Sequence, residues 1–154
     1  PHVAAQIRAA VEADVVTEPV SALIAACAAL GVRRLGLISP YVAEVSGRLR
    51  AVLAEARIET PVFASFEVPE EARVARIGPQ SLRDAAMRLA GEAPLDGLFL
   101  SCTNLRTLSV IPALEAELGL PVLSSNQVLA WHMMRLAGIA APKRAPGRLF
   151  MQTR

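Results

Sequence analysis

Three short segments of the sequence carry side chains suited to binding a small anion. Each follows an apolar run typical of a buried strand and precedes a stretch with helical periodicity. Ligands of open α/β sheets bind where strands end, and free N–H groups at a helix N-terminus attract anions. Because no glycine-rich phosphate loop occurs, a carboxylate is the favoured ligand. The segments are Ser39-Pro40-Tyr41, Ser101-Cys102-Thr103-Asn104 and Ser124-Ser125-Asn126-Gln127.

Cys102 is the side chain in these segments with the strongest potential chemistry. At the N-terminus of a helix, a thiol pKa falls below its free value of about 8.5, which favours the thiolate. A thiolate can act as a nucleophile or as a general acid/base. The alternative interpretation is a small buried cysteine beside a capped helix. Cys27 lies within an alanine-rich helical stretch, and we interpret it as structural.

A few other side chains could take part in binding or catalysis. Tyr41 could donate its hydroxyl to a substrate carboxylate or simply pack at the rim, and Arg106 could reach a carboxylate from the first turn of its predicted helix. His2 and His132 are the two histidines, and His132 is interpreted as structural. The sequence therefore has too few histidines near the candidate segments to favour a Cys-His or Ser-His-Asp catalytic site. No histidine or cysteine spacing suits a metal, and we predict no metal and no cofactor.

Composition narrows the class of protein. The chain has 154 residues, 53% of them apolar and 19% charged, which fits one domain or a piece of a larger protein. The net charge of +2 is scattered and aromatic residues are 4%, so nucleic-acid binding is not expected. No apolar run is long enough for a membrane helix. Two cysteines in such a chain favour a reduced, cytoplasmic setting.

Alternating helix-like and strand-like segments predict the fold class α/β, with a Rossmann-like (flavodoxin-like) parallel sheet flanked by helices. The strands are expected at 15–17, 35–38, 61–66, 95–101 and 120–123. The helices are expected at 1–13, from a cap at Ser21 to Gly31, from Pro40, from Pro79 to Gly91, from a cap at Thr103-Asn104 to Leu118, and from Ser124 to Gly138. Residues 67–76 are expected to form a loop with a short helical turn, and the residues after Gly138 a tail.

Three phrases in this order resemble the aspartate/glutamate racemase superfamily, in the branch of maleate cis-trans isomerase and arylmalonate decarboxylase. Within that branch the sequence is most similar to the ectoine-utilisation protein A group, through residues 67–77 and 147–150. The phrases are Leu-Gly-Leu-Ile-Ser-Pro-Tyr at 35–41, Phe-Leu-Ser-Cys-Thr-Asn-Leu-Arg-Thr at 99–107 and Pro-Val-Leu-Ser-Ser-Asn-Gln at 121–127.

The resemblance implies a two-lobed protein with the site in the cleft, one cysteine from each lobe, and no metal or organic cofactor. Cys102 matches the second-lobe cysteine, and Tyr41 matches a tyrosine that contacts a substrate carboxylate. Thr103 and Asn104 would supply N–H groups and an amide at the start of a helix. Ser39, Pro40, Ser125 and Asn126 complete the expected substrate-binding set.

Two departures from the family pattern matter. Glu71 stands about where maleate isomerases carry an asparagine, and its carboxylate would repel a second substrate carboxylate. The first-lobe cysteine motif is absent from these residues, so we expect little two-base activity from them alone. We therefore assign residues 1–20 to the trailing edge of a first lobe, 21–126 to a second Rossmann-like lobe, and 127–154 to a C-terminal helix and tail that packs back on the first lobe.

The resulting hypothesis is a cofactor-independent isomerase or racemase of a small carboxylate, such as an ectoine breakdown product, with Cys102 as acid/base. One alternative is an arylmalonate-type decarboxylase. Another is a non-enzymatic module that binds small carboxylates. We also expect a homo-oligomer, a dimer or higher, with neither nucleic-acid nor membrane partners.

Overall fold

The structure, a computed structural model, describes residues 2–11 and 15–152 and confirms the α/β class. Helices and strands alternate along most of the chain. In order they are α1 (His2–Ala10), α2 (Pro19–Leu30), β1 (Leu35–Ser39), α3 (Ala43–Glu55), β2 (Phe63–Ser65), α4 (Glu71–Val74), α5 (Pro79–Ala90), β3 (Gly97–Leu100), α6 (Ile111–Leu118), β4 (Val122–Ser124), α7 (Ser125–Leu136) and a 3₁₀ helix (Arg148–Met151).

The strands within the described residues form one parallel sheet in the order β2-β1-β3-β4. From β1 the chain passes through α3 to β2 on one side, whereas β3 and β4 lie on the other side. The sheet therefore has a topological switch point between β1 and β3, where ligands bind in open α/β folds. Ile38 is in register with Leu100, and Leu100 with Ser124, so these three strands end side by side.

Apolar side chains cover both faces of the sheet, as expected for parallel strands. On one face, Leu37, Phe99 and Leu123 pack in a core that also holds Cys27 and Trp131, from α2 and α7. On the other face, the core contains Ile38, Leu98, Leu100 and Val122, with residues of α5 and α6 against them. Alternate residues of one strand thus point to opposite cores, which fixes the direction in which each strand end presents its side chains.

Several predicted boundaries are wrong at the N-terminal side. Residues 15–17 form no strand, and α2 is capped by Glu18 rather than Ser21, because the Glu18 carboxylate accepts the N–H groups of Val20 and Ser21, both at 2.7 Å. The helix expected from Pro40 begins at Ala43. The helix expected over residues 1–13 is observed as α1, and residues 1, 12 and 13 lie outside the described part.

The largest correction concerns the segment after β3. Residues 101–110 are turns and irregular backbone, and α6 begins only at Ile111, where Pro112 fits the first helical turn. Leu105 and Val110 are buried, at 2% and 8% exposure, and fill the core under this segment. The side chain of Asn104 bonds to another segment instead of capping a helix. Burial of Leu105 and Val110 therefore decides the conformation of this segment, and the capping residues Thr103 and Asn104 do not start a helix.

The tail is held by a buried carboxylate in α6. Glu115, at 6% exposure, accepts the backbone N–H of Val122 at 3.0 Å and of Arg148 at 2.9 Å. The Arg148 guanidinium donates to the carbonyl of Gly119 at 2.7 Å. These bonds fasten the 3₁₀ helix beside α6 and β4.

Replacement of Gly147 by alanine should destabilise the protein far more than the same replacement of Gly138. Both have positive φ, +87° and +66°, but a Cβ at Gly147 would lie 2.6 Å from Gln127 Nε2 and 2.8 Å from Ile111 Cγ2, whereas Gly138 faces open space. We expect Gly147→Ala to lower the free energy of unfolding by about 3 kcal/mol and Gly138→Ala by about 1 kcal/mol. Urea unfolding of both variants measures this, and equal losses would contradict the packing around Gly147.

None of the helices that the structure describes is long and apolar enough to span a membrane.

Candidate functional site

The switch point places the Tyr41 phenol against the Cys102 thiol. Tyr41 Oη donates to Cys102 Sγ at 3.0 Å, and the backbone N–H of Asn104 donates to the same sulfur at 3.3 Å. Cys102 is only 3% exposed. The buried sulfur thus accepts two directed hydrogen bonds, one from each side of the switch point.

The predicted helix start at Thr103-Asn104 is wrong, although Cys102 lies just after β3, where the sequence places it. Cys102, Thr103 and Asn104 do not begin a helix, since α6 starts seven residues after Asn104. The helix dipole argument therefore does not apply to Cys102. The Asn104 N–H that approaches the sulfur belongs to a turn, and it acts as a single directed donor.

Three serine hydroxyl groups hold the Tyr41 segment. Ser39 Oγ, at the end of β1, accepts the Tyr41 N–H and the Ser46 hydroxyl, both at 3.1 Å. Ser65, the last residue of β2, donates its hydroxyl to the Tyr41 carbonyl at 2.5 Å. These bonds fix the backbone from which the phenol reaches the sulfur. The sequence reasoning missed Ser46 and Ser65, although the strand-end rule would have found Ser65.

The Tyr41 hydroxyl remains protonated at neutral pH. Burial raises the pKa of this phenol, and the hydrogen bond to Cys102, the electrostatic interaction with Cys102 and the nearby Glu71 carboxylate raise it further. A phenol in this state is a hydrogen-bond donor and a poor base. Tyr41 is therefore suited to stabilising a thiolate or a substrate oxygen rather than to removing a proton.

Glu71 joins the site from a distant segment. Its Oε2 accepts the side-chain amide of Asn104 at 2.5 Å. Asn104 thus contacts Cys102 through its backbone and Glu71 through its side chain. The structure places Glu71 at the site but does not by itself give it a role.

The loop after Cys102 lines an open hollow of about 460 Å³. Thr103, Asn104 and Asn126 lie on its wall together with Arg106 and Thr107. The Asn126 amide donates to the Thr103 carbonyl at 2.8 Å, which ties the start of α7 to this loop. Arg106 is exposed on the loop and does not occupy a first helical turn.

The remaining residues predicted to bind substrate are buried, so they hold the backbone of the site in place. Ser39 and Pro40 lie inside, and the Pro40 carbonyl accepts the Val68 N–H at 2.8 Å. Ser125 is the first residue of α7 and is 5% exposed. Within the described part of the chain, no hydrogen bond joins the Ser125 side chain to Tyr41 or the Cys102 loop.

Cys27 and His132 have structural surroundings, in agreement with the sequence interpretation. Cys27 is fully buried in the opposite core, and burial raises its thiol pKa to about 12. Both cysteines are free. His132 stacks on Trp131, and its Nδ1 lies 2.7 Å from the Thr17 hydroxyl.

The fold and the site define the class: a doubly wound α/β protein with a cysteine at the strand ends beside the switch point. The model of the family described as "Arylmalonate decarboxylase" matches residues 2–150. The chain belongs to this family, which forms one branch of the Asp/Glu racemase-like fold together with maleate isomerase.

Similar proteins carry two functional names. The chain is 41% identical over 124 residues to an arylmalonate decarboxylase of Bordetella bronchiseptica, covering 79% of this chain and 52% of that protein. It is 30% identical over 115 residues to a maleate isomerase of Geobacillus stearothermophilus, covering 74% and 45%. The structure of an unliganded arylmalonate decarboxylase superposes with a TM-score of 0.80 at 37% identity, covering 88% of this chain and 60% of that one. The chain spans about half the length of the curated relatives it matches.

Proposed function

We propose that this chain supplies the cysteine half of a cofactor-independent enzyme that moves a proton at the carbon beside a carboxylate. The observation that carries the proposal is the Cys102 sulfur held between the Tyr41 hydroxyl at 3.0 Å and the Asn104 N–H at 3.3 Å. The family membership supports it, since the related proteins are named as isomerases and decarboxylases of carboxylates.

In the proposed reaction, a Cys102 thiolate takes the proton from the substrate carbon, and the electron pair moves into the adjoining carboxylate as an enediolate. The thiol then returns a proton, or another acid supplies it to the opposite face. Tyr41 stabilises the thiolate through its hydrogen bond and keeps its own proton. The thiol and the substrate carbon exchange one proton, so the step requires no oxidant.

We propose isomerisation or racemisation of a small carboxylate as the leading reaction. An ectoine breakdown product is one candidate substrate of this class. The sequence contains two cysteines, and Cys27 lies in the opposite core from Cys102. A two-base reaction therefore needs a second acid/base from outside the site described here. For this reason we expect little two-base turnover from residues 1–154 alone.

Decarboxylation is the second candidate, and two observations favour it. The chain is 41% identical to the Bordetella bronchiseptica decarboxylase, and the site offers a single cysteine. In this reaction a malonate loses carbon dioxide, and the Cys102 thiol gives its proton to the carbanion that remains. The same thiol thus serves either reaction.

Product analysis with a panel of small carboxylates separates these reactions. Release of carbon dioxide from a malonate indicates a decarboxylase, whereas a change of configuration without loss of mass indicates an isomerase or racemase. The assay uses a protein that contains this sequence together with the second acid/base. Saturable binding of these carboxylates by that protein, with no product from any of them, would indicate the binding module and would contradict the proposed enzyme.

We further propose a cytoplasmic homo-oligomer with the lobe assignment given above. Exposed apolar side chains on α1 and α7 support an association surface there. They include Ile7 at 39% exposure, Met133 at 55% and Leu136 at 42%.

A further inference from the structure

A hollow of about 540 Å³ lies beside the second half of α7. Trp131 and Arg135 of α7 line one side, because residues four apart share a face of a helix. Ile139 and Phe150, which come from the segment after α7 and from the 3₁₀ helix, line the other side. Small-molecule sites have volumes of roughly 300–1,000 Å³ and mostly apolar walls with a few polar groups. This hollow has both properties, since Arg135 and Gln152 are the polar side chains in its lining.

We propose that this hollow is a second binding site, for a monocarboxylate that carries an apolar chain or ring. The carboxylate binds the Arg135 guanidinium, and the apolar part packs against Phe150 and Ile139 beside Trp131. The inference does not depend on the reaction proposed for Cys102, because the two sites share no residue.

The hollow is separate from the Cys102 site. The helix α7 begins at Ser125, beside the strand ends that carry that site, and Arg135 lies about 15 Å further along the helix at 1.5 Å per residue. Trp131 belongs to the core on one face of the sheet, whereas Cys102 belongs to the core on the other face. A ligand in this hollow is therefore not positioned to react at Cys102.

Arg135 gives the hollow a positive charge. Its guanidinium lies over the Trp131 ring, 5.0 Å from the ring centroid. No aspartate or glutamate lines the hollow, and within residues 2–11 and 15–152 no carboxylate forms an ion pair with Arg135. An arginine stacked on an aromatic ring can still direct two parallel N–H groups at a carboxylate. Charge complementarity therefore favours an anion here, and the planar guanidinium favours a carboxylate.

Hydrogen bonds hold both walls of the hollow in place. At the end of α7, Gly138 has a φ of +66°, and the Ile139 N–H donates to the Met134 carbonyl at 2.8 Å. This Schellman turn directs the following residues to the edge of the hollow. On the other side, Glu115 fastens the 3₁₀ helix through the Arg148 N–H at 2.9 Å. A site formed before the ligand arrives requires little ordering on binding, which favours affinity.

The fluorescence of Trp131 measures occupancy, because Trp131 is the single tryptophan of the 154 residues. Three probes of equal chain length differ in charge: hexanoate, 1-hexanol and hexylammonium. Each is titrated into the protein at neutral pH. We expect a saturable change in emission with hexanoate, at a dissociation constant about tenfold lower than that of 1-hexanol, and the weakest binding with hexylammonium.

Two variants separate the charge of Arg135 from the packing of the hollow. Arg135→Gln should weaken hexanoate binding about tenfold and leave 1-hexanol binding within twofold, because glutamine cannot form the two charged bonds to a carboxylate. Arg144→Gln is the matched control. It removes the same charge from an exposed arginine that does not line the hollow, and it should bind hexanoate as wild type does.

Each outcome decides one claim. Emission that shows no saturable change with hexanoate overturns the proposal. Equal affinity for hexanoate and 1-hexanol, or equal losses in Arg135→Gln and Arg144→Gln, overturns the selection of a carboxylate by Arg135. A change that follows the protein concentration rather than the hexanoate concentration assigns the hollow to a second copy of the chain and also overturns the proposal.

Discussion

Replacing Cys102 with serine is expected to reduce kcat about 1,000-fold on whichever small carboxylate the protein converts. A serine hydroxyl fits the same space and can accept the same bonds from Tyr41 and Asn104. It is a much weaker acid than a thiol, so it is not ionised at neutral pH and cannot exchange the proton. A positioned acid/base contributes about 100-fold to 10,000-fold to a rate, and the expected loss lies within this range.

Cys27→Ala is the matched control for this experiment. It removes the other cysteine, which is fully buried in α2 and lies in the opposite core. We expect a loss of about 1 kcal/mol in the free energy of unfolding and a kcat within twofold of wild type. Steady-state kinetics on both variants tests the assignment. Equal kcat values for Cys102→Ser and wild type would remove Cys102 from the chemistry.

Tyr41→Phe is expected to lower kcat about 30-fold. The phenylalanine ring keeps the packing of Tyr41 but removes the hydroxyl that lies 3.0 Å from the sulfur. A hydrogen bond to a charged group contributes about 2 kcal/mol, which corresponds to this factor in rate when the bond is made to the thiolate. The Asn104 N–H remains and keeps part of the stabilisation.

Two measurements keep the Tyr41 effect distinct from loss of structure. The free energy of unfolding of Tyr41→Phe should lie within about 1 kcal/mol of wild type, because among the described residues the hydroxyl forms a single hydrogen bond, to Cys102 Sγ. The alkylation rate of Cys102 at neutral pH should fall together with kcat. A slower enzyme whose thiol is alkylated at the wild-type rate would show that Tyr41 acts on the substrate alone and not on the sulfur.

The strands, and Tyr41 and Cys102 as separate candidates at strand ends, could be predicted from sequence because both depend on local patterns. The order of the strands, and with it the contact between these two residues, is known only from the structure. Apolar runs such as 35–38 identify buried strands, and parallel strands end at a common edge. The residues that follow two neighbouring strands must then meet, which brings Tyr41 to Cys102 across 61 positions of sequence. The strand-end rule therefore selects the two segments, and the strand order brings them into contact.

The loop after Cys102 could not be predicted in the same way. Thr103 and Asn104 precede a stretch that has helical composition, and both are good capping residues. Their chain turns instead, because Leu105 and Val110 fill the core and Asn104 binds Glu71. Such a choice depends on tertiary contacts with α4, which no local pattern reports.

The contacts that support the site come from helix interiors and strand ends far apart in sequence. Ser46 lies on α3 and faces Ser39 because one helical turn returns to the end of β1. Glu71 approaches Asn104 only because the chain after β2 passes over the same edge of the sheet. The resemblance to a family drew attention to Glu71, whereas Ser46 carried no signal of its own.

Solvent deuterium incorporation tests the proton transfer by Cys102 most directly. The protein that carries this sequence is incubated with its small carboxylate in deuterium oxide, and the product is analysed by proton NMR and mass spectrometry. Transfer through Cys102 predicts one deuterium at the carbon beside the carboxylate with wild type and Cys27→Ala, and none above background with Cys102→Ser. Product without deuterium, or equal labelling by Cys102→Ser, would contradict it.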